Sequence, residues 1–246
     1  MANSETILAD NIRVLPWFYN YQFDLGTFDP PYFSGPERRE YYGKSIGAKG
    51  IKRVKYPVTK KWELPTLQWF EEIQRTCRYW IIWGANYFDF IGKPFATPRR
   101  DQLQDFIAAN PKGWIIWDKC NGSVSFNDFE LAYTNMDIDT VVFKYMWNGM
   151  MQGKSIQDGH IMRGDKRNNE KRIHPTQKPI PLYLWQFQQF AQEGWNILDT
   201  HLGSGSSRIA AHMMELPFTG IEMLPIHYDR QEERFWNYNS QLKLAI

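Results

Sequence analysis

Asn196-Ile197-Leu198-Asp199-Thr200-His201-Leu202-Gly203-Ser204-Gly205-Ser206-Ser207 is the stretch on which the fold turns. Apolar residues end at an aspartate, a glycine turn follows, and residues 208–215 have helical spacing. This is a strand–turn–helix unit. Glycine lets a ligand approach the backbone closely, and free N–H groups at a helix start favour anionic or polar groups. A second strand ends at Glu222, about 20 residues past the first glycine, where a carboxylate suits ribose hydroxyls in a Rossmann-like unit. Taken alone, the turn also reads as plain structure, and Glu222 as a surface carboxylate.

Working outward, the same alternation continues. Strands are expected at residues 6–9, 22–28, 79–83, 114–117, 129–133, 140–145, 195–198 and 218–221. Helices are expected at residues 11–17 (or a turn there), 67–76, 103–109, 181–192, 208–215 and 225–238. Strands alternating with helices predict an α/β fold with a mostly parallel sheet. Trp80-Ile81-Ile82-Trp83 and Trp114-Ile115-Ile116-Trp117 read as two buried strands, since no longer period supports a duplication. The chain has 246 residues, 43% hydrophobic and 23% charged, enough for one large domain with a substantial core. Most of its 11 tryptophans are expected in that core.

Several classes are set aside. Cys77 and Cys120 are too few and too far apart for a disulfide framework or a zinc site, and read as buried free thiols in a reducing compartment. The histidines lack metal-ligand spacing, so no metal is expected. No stretch resembles a signal peptide or a membrane span, so the expected location is cytoplasmic.

The charge is asymmetric. The chain is +2 overall, yet residues 34–61 carry Arg38, Arg39, Lys44, Lys49, Lys52, Arg53, Lys55, Lys60 and Lys61 against two glutamates, a net +7. The remaining residues therefore sum to −5. Basic residues interleaved with Tyr41, Tyr42 and Tyr56 in a long loop suit phosphate contact and stacking, with a solvated charged loop as the alternative. Residues 146–172 form a polar second loop or small insert, with Arg163, Lys166 and Arg167 near its end.

Directly before the basic loop stands Asp29-Pro30-Pro31-Tyr32, after a strand. An exocyclic amine on a nucleobase is a poor nucleophile because its lone pair is delocalised into the ring. Asp29 and the Pro30 carbonyl can each accept one amino hydrogen, drawing the nitrogen towards tetrahedral geometry for attack on a sulfonium methyl. Pro30 and Pro31 fix the carbonyl direction, and Tyr32 can stack on the base. The alternative is a Pro-Pro turn with a packing tyrosine. His174-Pro175-Thr176-Gln177-Lys178-Pro179 stiffens the entry to a helix and places Thr176 and Lys178 where they can meet a carboxylate.

Together these motifs resemble the DNA amino-methyltransferases that use S-adenosylmethionine, in the permuted order of the beta group, over almost the whole chain. Trp117-Asp118-Lys119 and Phe129-Glu130 are similar to a further pair of family motifs. The resemblance implies a single methyltransferase domain over 1–246, with a Rossmann-like S-adenosylmethionine-dependent fold, helices on both faces of the sheet, and circularly permuted motif order. It implies Asp29, Pro30, Pro31 and Tyr32 at the reacting amine. It implies Asp10, His174, Thr176, Lys178, Asp199, His201, Gly203, Ser204, Gly205, Ser206 and Glu222 around S-adenosylmethionine. DNA is the implied partner, through Arg38, Arg39, Lys44, Lys49, Lys52, Arg53, Lys55, Arg163, Lys166 and Arg167. Residues 146–172 stand where a target-recognition insert is expected, and the target base is expected to flip from a duplex. A homodimer and a cognate restriction endonuclease are compatible with the resemblance.

The expected reaction is methylation of adenine N6, because Asp at the head of the motif is typical of adenine enzymes and Ser of cytosine ones. Cytosine N4, RNA adenine and a catalytically inactive nucleic-acid-binding relative are the alternatives. The family loop usually begins Asp-Pro-Phe, whereas this chain has Asp199-Thr200-His201. Thr200 and His201 alone favour an inactive relative, and intact Asp29 and Tyr32 argue against it.

Overall fold

The computed structural model describes residues 2–32, 62–120, 122, 128–148 and 151–244. Along the chain run β1 (Ser4–Leu8), α1 (Asn11–Val14), β2 (Phe23–Phe28), α2 (Leu67–Thr76), β3 (Cys77–Trp83), α3 (Leu103–Ala109) and β4 (Trp114–Asp118). There follow β5 (Phe129–Thr134), β6 (Val141–Lys144), the short strands β7 (Trp147–Asn148) and β8 (Met151–Gln152), α4 (Ile180–Phe190), β9 (Ile197–Asp199), α5 (Ser206–Met213), β10 (Phe218–Glu222) and α6 (Pro225–Leu244). Each expected strand and helix has a counterpart, with ends shifted. The largest shift is at α6, which runs to Leu244, past the expected end at residue 238. Residues 146–172, read as a second loop or small insert, contain the antiparallel β7–β8 pair.

Eight of the described strands form one sheet in the order β1-β10-β9-β2-β3-β5-β4-β6, and β7 and β8 pair separately. Every pairing within the sheet is parallel except those of β5, which runs antiparallel to β3 and to β4. The two Trp-Ile-Ile-Trp strands are therefore separated by β5. Side chains alternate across each strand and so divide between the two faces of the sheet. Ile81 and Trp83 of β3, Ile115 and Trp117 of β4 and Ile197 of β9 pack with Leu182, Phe187, Ala210 and Ala211 of α4 and α5. Trp80 and Ile82 of β3 and Leu198 of β9 pack with Val14, Trp69, Phe70 and Ile73 of α1 and α2. Helices thus cover both faces. Each fully buried large side chain contributes about 1.5–3 kcal/mol, which holds the register of the strands that carry them.

Local signals set the helix starts. Thr66 caps α2 by accepting from the Trp69 N–H at 3.2 Å, and Asp10 caps α1 through the Ile12 N–H at 3.1 Å. α4 is tied to the sheet by a buried polar chain: Trp83 Nε1 donates to Gln186 Oε1, and Gln186 Nε2 donates to Thr27 Oγ1.

From β9 through α5 to β10 the chain moves towards one edge of the sheet, and from β2 through α2 to β3 towards the other. The boundary between β9 and β2 is a topological switch point, and open α/β sheets bind ligands at such a crevice, outside the carboxyl ends of their strands. Cys77 is buried and its thiol is pushed up to about 12 by burial. Cys120, expected buried, is only half-buried, because it follows the end of β4 where the helical cover stops. Among the described residues no helix is long and apolar enough to cross a membrane, and no group of His, Cys, Asp and Glu is placed to hold a metal.

Candidate active site

The carboxyl ends of β1, β10, β9, β2, β3 and β4 face one rim of the sheet. β5, being antiparallel, contributes its first residues there. That rim brings together Asp10, Glu222, Asp199, Asp29, Gly84, Lys119 and Glu130, which come from six parallel strands and one reversed one.

On the β9–β10 side, Asp199 is buried. Its Oδ1 accepts from the His201 N–H at 2.9 Å and its Oδ2 from the Ser207 hydroxyl at 2.6 Å. Burial pushes its carboxyl up to about 7. Gly203 and Gly205 both adopt positive φ, 52° and 70°, and Gly205 starts α5. Glu222 closes the turn, with Oε2 accepting from Gly203 N–H and Oε1 from Leu224 N–H, each at 2.9 Å. The atoms nearest a Cβ on Gly203 would be those of the His174 ring, at 3.8 Å, so the 174–179 segment lies across the glycine turn. His174 stacks on Trp62 and meets His227 edge-on. Thr176 is exposed, with Oγ1 3.3 Å from His174 Nδ1.

His201 fills an aromatic position. Its ring packs edge-on to Trp69 at 5.3 Å, and burial lowers its pKa to about 3, so it is neutral. Asn11 Nδ2 lies 3.2 Å from His201 Nε2 and also donates to the Thr200 carbonyl. An Asn donor at Nε2 assigns the ring proton to Nδ1, 3.0 Å from Thr200 Oγ1, which also accepts from Trp69 Nε1. Sequence reasoning missed Asn11 and Trp69; the signal was only an Asn and a Trp at helix starts.

On the β2 side, Tyr32 OH donates to Asp29 Oδ1 at 2.6 Å. The Tyr32 ring lies on Gly84 and stacks on Tyr87 with centroids 5.6 Å apart. Lys178 was expected beside the cofactor. Its ammonium lies in a carboxylate cluster, donating to Asp29 Oδ1 at 2.6 Å and to Tyr32 OH at 2.7 Å. It is also 2.8 Å from Glu130 Oε2. Tertiary contacts set this: the Lys178 carbonyl is tied to α5 by the Ser206 hydroxyl and the Gln177 carbonyl to Trp147 Nε1, and the buried ammonium is tolerated only beside carboxylates. Lys119 pairs with the other Glu130 oxygen. Burial pushes Glu130 up, but Lys119 and Lys178 outweigh it and hold it down to about 2. Burial raises Asp29, with Lys178 opposing.

A further brace is Glu170. Its carboxylate accepts from Arg234 Nη2, Gln177 Nε2 and the Ile180 N–H, while Arg234 Nη1 donates to the Ser204 carbonyl and Ser206 Oγ. The 174–179 segment and the glycine turn are thereby locked together. Of the basic residues in the insert, Arg167 is paired with Asp165, Arg163 donates to the Asn168 and Lys154 carbonyls, and Lys166 is exposed. The seven expected DNA contacts from Arg38 to Lys55 lie outside the described residues.

A family model for DNA methylase, of the N6/N4 type, matches residues 23–232. The chain belongs to the DNA methylase family. The type II methyltransferase M.HpaI of Haemophilus parainfluenzae is 23% identical to this methylase over 93% of the chain and 73% of the relative. Among solved structures, the M1.HpyAVI–SAM complex superposes with a TM-score of 0.51 at 19% identity, covering 94% of this chain and 98% of the other. That likeness shows the Rossmann-like methyltransferase fold. The PvuII DNA methyltransferase (cytosine-N4-specific) gives a TM-score of 0.48 at 11% identity over 96% of this methylase and 91% of that chain.

Proposed function

We propose that this methylase transfers the methyl group of S-adenosylmethionine to the exocyclic N6 amino group of adenine in DNA, with the base flipped from the duplex. One observation carries the reading. The Asp29–Tyr32 motif and the Asp199–Ser207 turn leave neighbouring parallel strands, β2 and β9, on either side of the switch point. The motif order, amine site first and glycine turn last, supports the permuted beta arrangement.

The residues on the β9–β10 side fit the cofactor. Asp199 makes no ion pair among the described residues, and an α-ammonium group is the partner that such a buried carboxylate lacks. Glu222 keeps lone pairs for ribose hydroxyls after accepting two backbone N–H groups, and Asp10 stands beside it at the end of β1. Gly203, Ser204, Gly205 and Ser206 form the cradle, with His174, Thr176 and His201 around it. M1.HpyAVI was solved with SAM, which supports the same choice. When bound, the cofactor supplies an electrophilic methyl on a sulfonium.

The chain's own task is positioning. Asp29 and the Pro30 carbonyl accept the two amino hydrogens and localise the nitrogen lone pair; Pro30 and Pro31 hold the carbonyl direction. As the amine gains its methyl it loses one proton, and Asp29 is the carboxylate at hand to hold it. Residues 34–61 and the insert at 146–172 supply phosphate and strand contacts. Adenine is favoured over cytosine because Asp, not Ser, heads the motif.

The test is transfer from labelled S-adenosylmethionine to unmethylated genomic DNA, followed by nucleoside analysis. Label in N6-methyladenine is expected. Label in N4-methylcytosine would keep the pocket and overturn the base. Absence of label with intact cofactor binding would overturn DNA as the sufficient substrate.

A further inference from the structure

The Asp29 carboxylate is used asymmetrically. Oδ1 accepts from both Tyr32 OH, at 2.6 Å, and Lys178 Nζ, at 2.6 Å. Oδ2 has no donor among the described residues. Tyr32 is oriented by the same ammonium, since its oxygen accepts from Lys178 at 2.7 Å while its proton goes to Asp29. On the far side of Lys178, Glu130 Oε2 lies 2.8 Å from the same ammonium, as a second buried carboxylate paired with it. Glu130 is held in turn by Lys119. The four charges, two carboxylates and two ammoniums, cancel. They come from β2, β5, the end of β4 and the segment before α4, so the arrangement is a built one and not a local ion pair.

We propose that Lys178 is a positioning residue for methyl transfer: with Tyr32 it fills Asp29 Oδ1 and leaves Oδ2 to receive the target amino group, while Glu130, anchored by Lys119, draws on the same ammonium and sets how fully it is committed to Asp29. The inference rests on Asp29 as the acceptor of the amine hydrogen, as proposed above. It gives the lysine a function separate from cofactor binding. It also makes Lys178 and Glu130 act on Asp29 with opposite sign. The ammonium favours the ionised carboxylate, and the second carboxylate disfavours it. Protonated Asp29 is a poorer acceptor, so transfer has an acid limb that both residues move.

The experiment uses the full chain and single-turnover transfer to unmethylated genomic DNA at saturating labelled S-adenosylmethionine, from pH 5 to 9 on the order of half-unit steps, with cofactor affinity measured by calorimetry. In Lys178→Met the acid limb is expected to move up by about one pH unit or more. In Glu130→Gln it is expected to move down. Cofactor affinity should stay within about threefold in both, since neither side chain touches the glycine turn. A purely structural role would lower the rate in both variants without opposite shifts. Shifts in the same direction, no shift, or a change confined to cofactor affinity would overturn the proposal. Should Lys178→Met fail to fold, the Lys178→Met/Glu130→Gln double variant restores charge balance, and its limb must lie above that of Glu130→Gln. Asp29→Asn separates the two readings. If it remains active, the amine-site assignment itself fails. If it is inactive while the limbs do not move, only the function of Lys178 falls.

Discussion

At the scale of single residues, the site stores free energy in buried carboxylates. Asp199 titrates near 7 in the folded chain, raised by burial from 3.8. Between those values the folded state binds more protons than the unfolded one, so this group lowers stability progressively as pH rises from about 4 to 7. Asp199→Asn is expected to stabilise the cofactor-free protein by about 1–4 kcal/mol at pH 8, with the gain vanishing near pH 4. Urea unfolding at the two pH values checks this, and an equal effect at both would refute it. The same variant should weaken cofactor binding if, as proposed, Asp199 meets the α-ammonium group. Gly84 is the other telling residue. It has φ of +70°, and a Cβ there would lie 2.1 Å from the Tyr32 ring. Gly84→Ala should push Tyr32 off Asp29 and reduce transfer about tenfold or more, with cofactor affinity nearly unchanged. Unaltered turnover in that variant would mean that the Tyr32 position is not critical.

At the scale of elements, the connection that matters is between α6, the segment at 174–179 and the start of α5. Arg234 of α6 reaches Ser204, Ser206 and Glu170, and Glu170 caps α4 through the Ile180 N–H at 3.0 Å. No side chain at the α4 cap position performs that task, because Pro179 occupies it. Removing one partner of a buried pair leaves the other uncompensated, at a cost of about 3–5 kcal/mol. Arg234→Met is therefore expected to destabilise the fold by about that amount and to weaken cofactor binding, since the turn loses its brace. Thermal unfolding with and without S-adenosylmethionine reads both. A stability loss with unchanged cofactor affinity would show that the brace serves folding alone. None of this pairing was legible in advance. Glu170 and Arg234 are 64 residues apart, and each reads from its neighbours as a surface charge. The helices themselves were legible, because α2 and α5 carry apolar residues at helical spacing and begin at a Thr cap and a glycine turn.

At the scale of the whole molecule, the proposed interaction with DNA is expected to follow the charge asymmetry. Residues 34–61 hold nine basic residues next to the Asp29 motif, so a large part of binding should be electrostatic. Changing Arg38, Arg39, Lys52 and Arg53 to Ala is expected to flatten the dependence of log K on log salt by up to about 0.9 per lost phosphate contact. An unchanged slope would make the segment a solvated loop. The sequence by itself determined the alternation of strands and helices, the glycine turn and the Asp29-Pro30-Pro31-Tyr32 motif. Each is written in a few adjacent residues, where hydrophobic period, proline stiffness and glycine freedom act locally. Only the tertiary structure decided where the lysine of the 174–179 segment goes. Lys178 meets Asp29 across 149 residues, and Glu130 reaches the same ammonium because β5 enters the sheet in reverse between β3 and β4. A buried charge settles where folding has placed its counter-charges, and strand order, which no local pattern encodes, is what placed them.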